Sequence, residues 1–202
     1  MKESTASACN VLLTNHLVES IAVHQKIAEE NLGALTQATE AVIECLRRGG
    51  KVLLFGNGGS AAQAQHIAAE LVGRYLKERP ALSAIALTTD TSNLTAIGND
   101  YSFDLVFARQ IEALARPGDV VIALSTSGRS PNILRGIEAA KSQGTMTIGL
   151  TGGEGRPLRD QVDIAIVVPS YHTPHIQEAH IAMLHALCGA VEVAIFGAGR
   201  AA

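Results

Sequence analysis

The chain has 202 residues, of which 47% are hydrophobic and 17% charged, with a formal charge of −3 at pH 7. That length suits one α/β domain with an appended helical segment and cramps two domains, while the apolar content excludes a disordered chain. The balance of charge lacks the basic excess that a nucleic acid or an anionic membrane would require, so neither is an expected partner and a phosphate ligand must find local donors.

The first ten residues, MKESTASACN, carry one Lys with no apolar stretch behind it, which argues against a signal peptide. The apolar runs at 120–124 and 190–196 fall short of the ~20 residues that cross a bilayer, so a cytoplasmic protein is expected. Cys9, Cys45 and Cys188 are an odd set without CxxC spacing and are expected to be reduced.

From 17 to 46 the apolar residues Leu17, Ile21, Ala28, Leu32, Leu35, Val42 and Leu46 recur at steps of three, four or seven. This is an amphipathic helical pattern, with a break expected near Gly33. Residues 1–46 therefore read as a helical segment for contact with a second subunit, ahead of a core domain over 47–197. Five short apolar runs follow, at 51–55, 83–88, 119–124, 145–150 and 163–168, as expected for strands buried on both faces. Helical stretches at 61–76, 92–97, 103–115, 131–143 and 174–196 alternate with them. The alternation predicts a doubly wound, three-layer parallel sheet of the flavodoxin-like kind, with its ligand site outside the carboxyl ends of the strands. The tail, 197–202, is expected to fray.

Two loops fall at those ends. The first strand runs into Gly56-Asn57-Gly58-Gly59-Ser60 and an Ala-rich helix, where glycine backbone and helix-start amides can approach an anion. The same stretch fits a dinucleotide pattern through Gly56, Gly58 and Ala61. The acidic residue of that pattern lies ~20 residues on, whereas Asp90 follows Gly56 by 90 − 56 = 34. The third strand ends in Ser125-Thr126-Ser127-Gly128-Arg129-Ser130-Pro131. One or two hydroxyls here would be ordinary capping, but four exceed that need and suit a phosphate dianion. On the helix after the first loop, His66 and Glu70 share one face by their spacing of four. On the last helix Gln177 and His185 are eight apart, about 12 Å along the axis, with His180 pointing elsewhere.

Together these stretches resemble the sugar isomerase (SIS) domain family, whose serine-rich phosphate loop has the form STSGxS. GNGGSAAQAQHIAAELVGRY at 56–75, GND at 98–100, STSGRS at 125–130 and IQEAHIAMLH at 176–185 are similar to its phosphoheptose isomerase branch. The resemblance implies an aldose–ketose isomerase that interconverts sedoheptulose 7-phosphate and glycero-manno-heptose 7-phosphate through an enediol. It implies Glu70 and His185 as the proton-transfer pair. Asn57, Gly58, Gly59, Ser60, Asn99, Asp100, Ser125, Thr126, Ser127, Ser130 and Gln177 become the sugar-phosphate contacts. It further implies zinc on His66, Glu70, Gln177 and His185, no nucleotide cofactor, and a homotetramer with sites between subunits. Gln177 and His185 can meet one ion only through long converging side chains or from different subunits. The chain departs from the family at His175, where arginine is common, and 170–174 is variable ground. A non-catalytic relative binds the replication initiator DnaA. That relative lacks the acid and the histidine that stand here as Glu70 and His185.

Overall fold

Short runs of Val, Ile and Leu bounded by glycine and polar turns pair as β1 (Val52–Gly56), β2 (Ala84–Ala86), β3 (Val120–Leu124), β4 (Met146–Gly152) and β5 (Ile164–Val168). The sheet is wholly parallel, in the order β2-β1-β3-β4-β5. The computed structural model describes residues 2–197, and side chains from residue 6; of the tail expected to fray, 197–202, all but Gly197 lies outside the described residues. Every residue of β1 and β3 is buried. Successive side chains leave opposite faces of a strand, so Val52 and Leu54 join one core cluster while Leu53 and Phe55 join the other.

The helices are α1 (Lys2–Glu30), α2 (Leu32–Arg47), α3 (Gly59–Val72), α4 (Thr91–Asp100), α5 (Ala108–Leu114), α6 (Pro131–Ser142), α7 (Leu158–Gln161) and α8 (Thr173–Phe196). Helices α2, α3 and α8 cover one face, burying Val42, Ile67 and Leu184 with Leu54 and Ile122. Helices α5, α6 and α7 cover the other, burying Ile111, Ile137 and Leu158 with Phe55 and Val121. Each such side chain contributes roughly 1.5–3 kcal/mol when taken from water. The expected three-layer, doubly wound architecture is therefore present, with its order reversal between β1 and β3.

The differences from the sequence reading have physical causes. The helical break expected near Gly33 falls at Asn31, whose side chain donates to the Val167 carbonyl at 2.8 Å and pins the chain to β5. The stretch 103–115 splits into a 3-10 turn (Phe103–Leu105) and α5, and the short α7 was not anticipated. Helix α3 stops at Val72, short of 76, since 73–79 turns away onto α8. The second half of the N-terminal segment shares the main core, through Val23, Ile27, Ala38 and Val42. Earlier in α1 the apolar residues Val11, Leu12, Leu13, Leu17, Val18 and Ile21 are exposed.

By length and composition α8 could cross a membrane. In this fold it is a core helix, with Leu184, Leu187 and Val191 packed under the sheet. Cys45 and Cys188 are buried free thiols and Cys9 is an exposed one.

Candidate active site

The β1/β3 reversal separates neighbouring strands whose loops lead to α3 and α6, and crevices of this kind take ligands in open α/β sheets. Both helices begin without a side-chain cap, at Gly58 and at Ser130. At α3 the Ser60 and Ala61 amides turn back onto the Asn57 and Gly58 carbonyls, which leaves the Gly58 and Gly59 amides for an anion; at α6, where Pro131 sets the first turn and has no N–H, the Asn132 amide and the Ser130 hydroxyl are left. Between β3 and α6 the chain passes through Gly128 at φ +66°, and a side chain there would strike the Gly155 carbonyl. The two loops are joined by a pair the sequence reading missed: Asn57 and Asn132 each donate a side-chain N–H to the other's carbonyl oxygen at 2.9 Å. Asn132 stands directly behind the serine loop on α6, which is the signal that could have marked it.

Within the serine loop the hydroxyls differ. Ser125 is buried and its Oγ accepts from the Gly128 amide at 3.2 Å, while Ser127 Oγ accepts from the Arg129 amide at 3.3 Å. Thr126, Ser127 and Arg129 line a cleft of about 220 Å³, closed on its far side by Gly152, Gly153, Tyr171 and Thr173. Ser60 is buried in the first turn of α3, against Gly56. Asn99 and Asp100 stand elsewhere, at the exposed end of α4. There Asn99 Nδ2 donates to Asp100 Oδ1 at 2.8 Å, and Asp100 lines a separate cleft with Tyr101 and Arg109.

Helices α3 and α8 run side by side in the same direction. Gln177 lies against Gly59 at the start of α3, and Gln63 donates to the Gln177 carbonyl at 2.7 Å. Two turns on, His66 Nε2 meets His185 Nε2 at 2.8 Å and Glu70 Oε1 at 3.3 Å. The three side chains are open enough to reach solvent and bring one ligand atom each within 4.8 Å of the others. Two imidazoles and a carboxylate are suitable donors for zinc. Gln177 does not join them within one chain. It stands eight residues before His185 on α8, a helix rise of about 12 Å.

A buried latch supports this cluster from behind. Glu192 accepts from the Tyr75, Leu76 and Lys77 amides at 2.9, 3.0 and 3.2 Å and from Arg79 Nε at 2.9 Å. Arg79 also donates to the carbonyls of Glu70 and Leu71 at the end of α3. Tyr75 is thereby stacked on His185, with ring centroids 5.6 Å apart. Burial pushes the Glu192 carboxyl up, but the Leu76 and Tyr75 amides and the Arg79 guanidinium outweigh it and hold it below the usual range. Neither latch residue carried a local signal in the sequence, because the pair is 113 residues apart.

His180 faces inward. Its Nε2 donates to the Thr151 carbonyl at 3.2 Å, its Nδ1 has no partner among the described residues, and burial lowers its pKa to about 4. Burial pushes the nearby Cys188 thiol up to about 12, which makes it a poor nucleophile. Asp90 caps α4 by accepting from the Asn93 amide at 2.9 Å, so the acidic residue of the dinucleotide alternative is engaged in a helix cap.

Residues 16–152 match the SIS domain family model. The phosphoheptose isomerase of Syntrophotalea carbinolica is 53% identical over 186 residues, 92% of this chain and 95% of that protein. The solved phosphoheptose isomerase of Neisseria gonorrhoeae superposes with a TM-score of 0.87 at 43% identity, over 91% of this chain and 98% of its own. The structure from Francisella tularensis superposes at 0.88 with 39% identity, over 91% and 97% of the two chains.

Proposed function

The chain belongs to the phosphoheptose isomerases of the SIS domain family, and from that premise we propose that it interconverts D-sedoheptulose 7-phosphate and D-glycero-D-manno-heptose 7-phosphate, with Glu70 and His185 moving the protons. It is an aldose–ketose isomerase and needs no nucleotide for this internal transfer. The phosphate rests on Ser125, Thr126, Ser127 and Ser130 at the start of α6, where neutral hydroxyls and free amides meet a dianion. Asn57, Gly58, Gly59 and Gln177 surround the adjoining part of the sugar, with Ser60 shaping the turn beneath them.

From the ketose, Glu70 takes a proton from C1 while His185 protonates O2, which leaves a cis-enediol. His185 then takes the proton from O1 and Glu70 returns its proton to C2, giving the aldose. The reverse reaction runs the same steps backwards. Zinc held by His66, Glu70 and His185, with Gln177 of the partner subunit as a further ligand, would supply polarisation of the sugar oxygens. The observation that supports the acid–base roles is the convergence of Glu70 and His185 on one solvent-facing spot.

We read the site as a product of more than one chain, and helix geometry supports this. Glu70 lies eleven residues beyond Gly59, about 16 Å along α3, so one copy's phosphate loop and its own Glu70 are far apart. The protein acts as a homo-oligomer, a tetramer, in which the cradle of one copy faces the His66, Glu70 and His185 of another. Asn99 and Asp100, remote from the cradle of their own chain, approach the sugar the same way. The exposed apolar face of α1, Val11 to Ile21, supports such assembly, since apolar patches of this kind are covered by partners. The protein is placed in the cytoplasm, where a sugar phosphate is available.

Purified protein incubated with sedoheptulose 7-phosphate in D2O should yield aldose, with deuterium at C2 to the extent that the proton held by Glu70 exchanges with solvent before its return, seen by NMR. Absence of both aldose and exchange, together with capture of the replication initiator, would replace this reading with the binding-only one. Retention of Glu70 and His185 favours the isomerase.

A further inference from the structure

Helix α1 meets the start of α8 through a second histidine cluster that the isomerase chemistry does not use. His16 on α1 faces His172 and His175, and one ring nitrogen from each of the three lies within 4.8 Å of the other two. The rings are tilted or edge-on to one another, at centroid distances of 4.4 to 6.2 Å, so they converge by their nitrogens and are not stacked.

His16 Nδ1 and His175 Nε2 are 3.3 Å apart. Two nitrogens bound to one tetrahedral zinc ion at 2.0–2.1 Å stand about 3.3–3.4 Å apart, so this pair already has the spacing of one edge of the tetrahedron. On its other side His16 Nε2 donates to Glu178 Oε1 at 2.8 Å, which leaves the Nδ1 lone pair directed at the cluster. Glu178 is itself oriented by the Ser20 hydroxyl, which donates to Oε2 at 2.6 Å. A carboxylate that fixes the tautomer and ring orientation of a ligating histidine is the usual surrounding of a metal-bound imidazole. Burial grades across the cluster, from His175 in the interior through half-buried His16 to exposed His172. An ion would enter from the His172 side and keep one position for water.

We propose that His16, His172 and His175 form a second metal site, for a borderline divalent transition ion of the zinc class, which ties α1 to the first turn of α8. Three imidazoles disfavour magnesium and calcium, which take oxygen ligands. Tyr171 and Thr173 flank His172 and line the cleft beside the serine loop, so the bound ion braces that wall. The site is independent of the His66, Glu70 and His185 cluster.

The test removes the first cluster and asks what remains. Full-length protein carrying His66→Ala and His185→Ala, purified with chelator and freed of it, is titrated with Co²⁺ and watched for the visible absorption of a four-coordinate ion. One equivalent per chain should bind, be displaced by Zn²⁺, and raise the melting temperature. Adding His172→Ala, an exposed change that spares the packing, should lower the affinity at least a hundredfold and abolish the melting shift. Glu178→Gln should keep the stoichiometry and weaken binding ten- to a hundredfold. No four-coordinate signal in the parent, or an unchanged affinity in a folded His172→Ala protein, overturns the proposal.

Discussion

At its first turn α3 meets β1, the loop into α6 and Gln177 at the start of α8; two and three turns later it meets α8 again, around His185. The first region is made by contiguous sequence. Glycines, hydroxyls and two uncapped helix starts form a cradle whose parts lie within a few residues of a strand end. The second is made by docking, since His185 reaches His66 across 119 residues of chain, and Arg79 and Glu192 hold the neighbouring segment in place across 113. A cradle of backbone amides is rigid by construction, whereas a cluster of side chains on two helices depends on how those helices are held.

The sharpest break in the second region alone is Glu70→Gln, which keeps size and hydrogen bonding but cannot take a proton. Turnover should fall roughly 10²- to 10⁴-fold, while calorimetry still detects sugar-phosphate binding. His185→Ala should behave likewise, and the double variant should be little worse than the poorer single one, because groups acting as a unit are not additive.

Glu192→Ala removes the latch behind the cluster and strands the buried Arg79 guanidinium. Destabilisation of about 3–5 kcal/mol is expected in denaturant unfolding. Isomerisation should suffer more than phosphate binding in whatever protein remains folded.

His180 sits on α8 between Gln177 and His185 and links the two regions. Its folded pKa of about 4 lies below the unfolded value of 6.5, so the unfolded chain takes up the proton first. Its contribution is therefore intact above pH 6.5, erodes as the pH falls, and is lost by about pH 4. The full difference is roughly 3 kcal/mol. Denaturation midpoints measured across that window should decline, and more shallowly in His180→Gln.

The smallest effect concerns the cradle. Ser127→Ala should cost roughly 1.5–3 kcal/mol of sugar-phosphate affinity, with the melting temperature unchanged. Equal affinity for both proteins in calorimetry would move the phosphate away from this loop.

What could be read without the structure follows the same division. Runs such as VVIAL at β3 and the loop STSGRSP announce their structure because period, glycine and proline act locally. The spacing of His66 and Glu70 put them on one helix face. The parallel docking of α8 on α3 was not legible, and with it went the Glu192 latch, the Tyr75 stack and the inward turn of His180. The break near Gly33 was legible, but its anchor was not, as Asn31 bonds a carbonyl on β5 136 residues away. Asn132 was overlooked because its partner Asn57 lies on the other loop.

The central claim is that the cradle and the acid–base cluster serving one sugar come from different chains. Hybrid assemblies of Glu70→Gln chains with Ser127→Asp chains, whose carboxylate repels the phosphate, test it most directly. The two chains are co-expressed with different tags and the hybrids isolated through both. Each pure variant should be inactive, and the hybrid should recover turnover with sedoheptulose 7-phosphate, since some sites then pair an intact cradle with an intact Glu70. A correctly assembled hybrid as inactive as its parents would place both halves of the site in one chain and contradict the account.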